Sequence, residues 1–165
     1  MMKEPIKLTE EPSKPVFDLL IGMPMFENLN IKDLKLISEY MNIIDVRAGD
    51  ILFREGDIGD YVCFLVNGQL EVIKKAENGK EVVLCKLRYS SSIGEMALID
   101  EFVRSASVRA YTKATLVILT RASFNRILGT HPFIGIQILK GISRLLSLNL
   151  RKTSSRLADH LLPLG

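Results

Sequence analysis

Histidine is scarce in this chain, with two among 165 residues. His131 and His160 fall in helical patterns, so a metal centre of clustered imidazoles on neighbouring strands is not expected. Cysteine is as scarce: Cys63 and Cys85 both sit inside apolar segments. The expectation for both is buried thiols packing as small hydrophobes rather than a disulfide. No serine or cysteine nucleophile stands beside a base, which points away from an enzyme. No apolar run looks long enough to cross a bilayer, and the N-terminus lacks the basic-then-apolar pattern of a secretion signal. These absences predict a cytoplasmic protein without a membrane partner. The net charge of +3 is small for the length and argues against a dedicated nucleic-acid surface.

What is present supports one compact domain. The apolar fraction of 47% is enough for a full core. Residues 1–15 carry Pro5, Pro12 and Pro15 among polar neighbours and read as an extended arm. Residues 16–165 read as a single domain in three parts. Residues 16–42 are helical, with Asn30 as a cap, Leu34, Ile37 and Met41 at helical spacing, and a break at Pro24. Phe26 and Leu29 are expected to plug that break against the body of the domain. From residue 43 to 120, short apolar runs alternate with turn residues. Ile51 to Phe53, Tyr61 to Val66, Leu70 to Ile73, Val82 to Cys85 and Thr115 to Leu119 are expected strands. Asn67-Gly68 and Asn78-Gly79 predict hairpins with type I′ turns. Residues 121–165 return to helical spacing. A short helix is expected over Ser123 to Leu128, ended by Gly129 and Pro132, and a long one from Ile134 to about Leu162.

One segment carries chemistry. Ile93-Gly94-Glu95-Met96-Ala97-Leu98 is followed by Arg104-Ser105-Ala106-Ser107-Val108. A glycine turn, a carboxylate and a guanidinium thus meet on one short connection. An arginine fork and free backbone N–H groups hold phosphate, and a carboxylate accepts a hydrogen bond from a sugar hydroxyl.

With Gly49, Gly56, Gly59 and Gly68 punctuating the strands before it, this cassette resembles the cyclic nucleotide-binding domain. That domain is shared by the bacterial catabolite activator protein, protein kinase A regulatory subunits and cyclic nucleotide-gated channels. The resemblance implies an α+β fold: a double-stranded β-helix (a jelly-roll-like β-roll) flanked by N-terminal helices and a long C-terminal helix. It implies a sensor of cAMP or cGMP that signals by moving the last helix, with no cofactor. By the same resemblance, Glu95 takes the ribose 2′-hydroxyl, Arg104 clamps the cyclic phosphate and Ser105 adds a hydroxyl and an N–H to it. Gly94, Met96 and Ala97 complete the ligand-binding set, Gly94 and Ala97 at positions where backbone approaches the ribose phosphate. The chain departs from the pattern at Val103, where the family often has proline, and at Ser90-Ser91-Ser92, where it usually has Gly-Asp.

The alternative is a ligand-free domain serving as a dimerisation or protein-interaction scaffold, with Glu95 and Arg104 as a structural ion pair. Lys140, Arg144, Arg151, Lys152 and Arg156 read as a solvated face of the last helix. The chain stops too soon after that helix for the helix-turn-helix of the family's DNA-binding members, so direct DNA binding is not expected. Ile138, Leu145 and Leu148 approach heptad spacing and predict a homodimer, with Asn149 setting register. The signal is expected to pass to an unidentified downstream protein.

Overall fold

In the computed structural model, residues 16–161 are described, and the N-terminal arm lies outside them. The chain runs from helix α1 (Val16–Leu20) through a 3-10 turn (Pro24–Phe26) to helix α2 (Ile31–Ser38). Eight strands follow: β1 (Asn42–Val46), β2 (Ile51–Phe53), β3 (Tyr61–Asn67), β4 (Leu70–Lys75), β5 (Glu81–Leu87), β6 (Ser92–Ile93), β7 (Ser107–Ala110) and β8 (Ala114–Thr120). A second 3-10 turn (Glu95–Leu98) separates β6 from β7, and helices α3 (Arg121–Thr130) and α4 (Pro132–Leu161) close the fold.

The strands form two antiparallel four-stranded sheets, ordered β1-β8-β3-β6 and β2-β7-β4-β5. This is the α+β fold expected, a β-roll between helices. One core lies between the sheets and includes Ile44, Phe53, Cys63, Leu65, Val72, Val108 and Leu116. A second lies between the first sheet and the helices and includes Phe26, Ile37, Phe64, Leu119, Phe124, Ile134, Ile138 and Ile142. Strand β3 serves both: Cys63 and Leu65 face the other sheet, while Val62 and Phe64 face the helices. Burial on both faces explains its unbroken apolar run.

Local chemistry sets the element ends. The Asn30 side chain accepts from Asp33 N at 3.0 Å and starts α2. Thr120 does the same for α3 through Ser123 N at 3.1 Å. Phe26 and Leu29 are buried at the Pro24 break, and Phe26 packs on Phe64 with ring centroids 4.9 Å apart. Gly141 lets α4 lie directly on the first 3-10 turn, because a Cβ there would sit 2.1 Å from Met25 O.

Several expectations need correction. Asn67-Gly68 makes no hairpin, because β3 belongs to the first sheet and β4 to the second, so the chain changes sheets there. Asn78-Gly79 does join the β4–β5 hairpin, yet only Gly79 takes positive φ. Gly79 N bonds Ala76 O, and Ala76 N bonds Lys80 O, a tight turn followed by a left-handed glycine rather than a type I′ pair. Helix α3 is longer than Ser123 to Leu128 and contains Gly129. Cys85 is exposed, as are Val82, Val83 and Leu84, because β5 is the outer strand of its sheet. Ile138 is fully buried in the helical core, so it is unavailable to a coiled-coil seam.

By length and composition alone, helix α4 departs from the expectation that no apolar run could cross a bilayer. Pro132–Asp159 is long and apolar enough to cross one, with a mean hydropathy of 1.2 over its most apolar window. Its apolar residues cover two faces. Ile134, Ile138 and Ile142 enter the core, while Phe133, Ile136, Leu148, Leu150 and Leu157 stay exposed.

Candidate functional site

The cassette begins where β6 ends. Gly94 takes φ of 85°, a left-handed conformation costly for residues with a Cβ. It is required for space as well, since a Cβ there would lie 2.4 Å from Arg104 Nη1. The Glu95–Leu98 turn follows, closed by Ala97 N to Gly94 O at 3.1 Å and Ile99 N to Met96 O at 2.8 Å. Upstream, Ser90 stands in the left-handed region at φ 69°, the conformation a glycine would take without strain. Two bonds to β3 hold that turn: Ser90 N to Leu65 O and Leu65 N to Ser91 O.

The return of the cassette is pinned by the loop after β2. Arg104 N donates to Asp57 O, Gly56 N donates to Arg104 O, and Val103 forms a bridge with Ile58. Lys74 Nζ donates to Ser105 O and to Glu55 Oε1, each at 2.7 Å. That contact holds the Glu55 carboxyl below the usual range, the Lys74 hydrogen bond being the main cause.

Arg104 is buried. Its Nη2 donates to Tyr61 O at 2.7 Å and its Nη1 to Gly94 O at 3.3 Å. The guanidinium carbon lies 4.0 Å from the Phe53 ring centroid and 4.7 Å from that of Tyr61, so two aromatic faces help hold the charge. Nε has no partner. Burial pushes the Tyr61 hydroxyl up to about 12, and that hydroxyl donates to Leu52 O. Tyr61 and Phe53 are the platform on which the arginine rests. Sequence reading counted both only as strand residues.

Glu95 is buried too, and its Oε2 has no partner. Burial raises its pKa; the amides of Glu95 and Gly94 and the charge of Arg104 oppose that rise without cancelling it. Glu95 and Arg104 do not pair with each other, which removes the structural ion-pair reading.

Gly94, Glu95, Met96, Ala97, Arg104 and Ser105 all line one cavity of about 410 Å³. The structure brings the whole expected set together, with Met96 and Ser105 exposed. Phe53, Val72, Leu84 and Val108 supply an apolar wall from the second sheet, and Leu146, Asn149 and Thr153 close the cavity from α4. Of the neighbours Leu148 and Asn149, Asn149 lines the cavity and Leu148 does not.

Arg121 also escaped sequence reading. It stands at the first turn of α3. Its Nε donates to Ala97 O at 2.6 Å, and its Nη2 donates to Asp100 O at 2.8 Å and to Gly59 O. One side chain therefore ties the cassette to the helix pair. Arginine at a helix start has no periodic signature, so nothing in the sequence singled it out.

An acceptor and a cation, both buried and incompletely bonded, share a cavity with an apolar wall. That combination suits a small anion carrying a hydroxyl group and a flat apolar body.

Comparison with known proteins agrees with this chemistry. The family described as "Cyclic nucleotide-binding domain" matches residues 43–131, and the chain belongs to it. The cAMP-dependent protein kinase regulatory subunit of Schizosaccharomyces pombe is 37% identical over 111 residues, covering 67% of this chain and 26% of that protein. The chain thus spans about a quarter of the length of that relative. A cyclic nucleotide-binding domain from Methylobacillus flagellatus superposes with TM-score 0.82 at 26% identity, covering 88% of this chain and 84% of that one. The structure described as "cAMP bound PfPKA-R (141-441)" superposes with TM-score 0.63 at 31% identity, covering 74% of this chain and 44% of that one.

Proposed function

We propose that the chain is a non-catalytic sensor that binds cAMP or cGMP in the cavity beside Arg104. The observation that carries this reading is the pair of unpartnered buried atoms, Glu95 Oε2 and Arg104 Nε, in the walls of a single nucleotide-sized cavity. The cyclic phosphate sits against Arg104 and Ser105. The ribose lies over the Gly94–Ala97 turn, with its 2′-hydroxyl donating to Glu95. The base meets Val72, Leu84 and the α4 residues Leu146, Asn149 and Thr153.

Thr153 already donates its hydroxyl hydrogen to Asn149 O, so its oxygen remains an acceptor. It can accept from an amino group of the base, which adenine and guanine both carry. Because α4 forms one wall, a ligand that binds better with α4 closed shifts the helix. A swing from almost all open to almost all closed takes about 5.5 kcal/mol of differential binding.

The output passes to a second copy or to another protein rather than to DNA. Leu150 and Leu157 stand seven residues apart along α4, and both are exposed. They replace Ile138 as the seam of the expected homodimer.

Calorimetry with cAMP and cGMP tests the reading. At 100 times its dissociation constant, a bound nucleotide adds about 2.7 kcal/mol of stability. No heat and no rise in melting temperature with either nucleotide would leave the ligand-free scaffold as the function.

A further inference from the structure

A second cavity, of about 430 Å³, adjoins the cassette cavity along α4. Its floor is apolar, made by Met23, Met25, Phe64 and Leu145. Ser90, Ser91 and Ser92 form one rim, and Lys152 and Arg156 form the other. These two cations stand four residues apart on one face of α4, exposed, and neither has an ion pair among the described residues. Lys86 also lines the cavity, but its ammonium is engaged by Glu71 at 3.5 Å and by the Tyr111 ring at 3.4 Å. Ile93, Glu95 and Asn149 are shared with the cassette cavity and form the partition between the two.

The chemistry of this groove differs end to end. The far end offers a guanidinium, an ammonium and the hydroxyls of Ser91 and Ser92, which suit a phosphate, while the Ser90 hydroxyl donates to Gly22 O. The partition end holds the Glu95 carboxylate, which repels an anion and takes a hydrogen-bond donor. Between them lies an apolar floor. The geometry points to a second ligand site here, for a small organic phosphate with a flat or apolar body and a donor at the end away from the phosphate. The exposed leucines Leu150 and Leu157 are absent from its lining, so dimer pairing through them leaves this groove open. Occupancy of either cavity reaches the other through Asn149 and Glu95.

Cys85 lines this groove and not the cassette cavity, and it is exposed, whereas Cys63 is buried. The rate of Cys85 alkylation in the full chain therefore reports on the groove directly, and Arg104→Ala separates any effect relayed from the cassette cavity. Adenosine 5′-monophosphate is the organic probe and inorganic phosphate the control. At about ten dissociation constants the organic probe slows alkylation by about tenfold. Protection survives Arg104→Ala, which disables the cassette cavity, and disappears in Lys152→Glu/Arg156→Glu, an exposed pair whose reversal leaves the core intact. Failure of cyclic nucleotide binding in wild type has no bearing on this result. No protection in wild type would overturn the proposal. So would protection that Arg104→Ala abolishes, since the probe then acts from the first cavity, or protection equally strong with inorganic phosphate, since the apolar floor then plays no part.

Discussion

Glu95 and Arg104 line the same cavity, both buried, and do not pair. Opposite charges so placed would ordinarily close on one another. Here the backbone keeps them apart. Arg104 is drawn toward Tyr61 O and Gly94 O and laid across Phe53 and Tyr61, while the turn from Gly94 directs Glu95 elsewhere. The site therefore holds unsatisfied polar atoms in reserve for a third party.

The first prediction follows from that separation. Arg104→Ala removes the cation that a phosphate would meet and weakens cyclic nucleotide binding by about 2–5 kcal/mol, the range for one side of a desolvated charge pair. Arg104→Lys recovers only part of the loss, because an ammonium neither forks onto two oxygens nor lies flat on Phe53. Titration calorimetry on the three proteins is the check, and equal affinity in all of them would place the ligand elsewhere.

The second concerns pH. In the empty protein, burial raises the Glu95 pKa above its ordinary value of 4.5. A group raised in the folded state contributes stability that is fully present below the unfolded value and is lost as pH rises through the folded value. The empty protein therefore loses this contribution between the ordinary carboxylate range and the raised pKa. Binding has the opposite sign. A 2′-hydroxyl donating to the carboxylate favours the charged form, so binding releases a proton and affinity increases with pH over that same window, by at most about tenfold per pH unit. Glu95→Gln abolishes the slope, and a 2′-deoxy cyclic nucleotide shows little of it. A wild-type affinity flat across the window would detach Glu95 from the ligand.

How much of this was legible in the sequence depends on whether a residue acts through its own type or through its surroundings. Asn30, Pro24 and Gly94 act through backbone chemistry that any reader of the chain can apply, and each does what its type predicts. The alternation of β3 between two cores is visible as an apolar run, though not which layer lies on which side. Val82 to Cys85 look identical in kind and are exposed, because strand order decides that β5 lies at an edge and strand order is a long-range property. Val83 and Cys63 cannot be told apart by composition. Within the site, the cassette residues are marked by their resemblance to a family motif. Tyr61, Phe53 and Arg121 reach it from other elements, and only the fold brings them there.

The third prediction tests how α4 is seated. Replacing a helix-interior glycine by alanine ordinarily favours the helix by about 1 kcal/mol. At Gly141 the new Cβ meets Met25 O at 2.1 Å, a backbone atom that cannot rotate aside. Overpacking of this kind costs about 1–3 kcal/mol, so the clash outweighs the propensity and Gly141→Ala lowers the melting temperature. Gly129 gives the control: it is also helical, nothing lies within 4 Å of its added Cβ, and Gly129→Ala is neutral or stabilising. Thermal melts of the two variants separate packing from propensity, and a stable Gly141→Ala would mean that α4 is not held against Met25.

The fourth concerns Arg121, which bonds three carbonyl oxygens at Ala97, Asp100 and Gly59 and pairs loosely with Glu101 at 3.7 Å. Arg121→Ala leaves those carbonyls without a donor, and each one that water cannot reach costs about 1–3 kcal/mol. Stability alone would fall for any buried arginine. The telling measurement is communication between cavity and helix. A fluorophore on an introduced cysteine at exposed Leu157, in a Cys85→Ser background, reports the position of α4 as nucleotide is added. In the wild-type background the signal changes on binding. In Arg121→Ala the cassette and α3 are no longer tied, so nucleotide still binds but the α4 signal shrinks. Arg121→Lys reaches fewer carbonyls and falls between the two. If Arg121→Ala loses stability yet keeps the full α4 response, the side chain is a brace for the cassette and the helix receives its signal directly from the ligand through Leu146, Asn149 and Thr153.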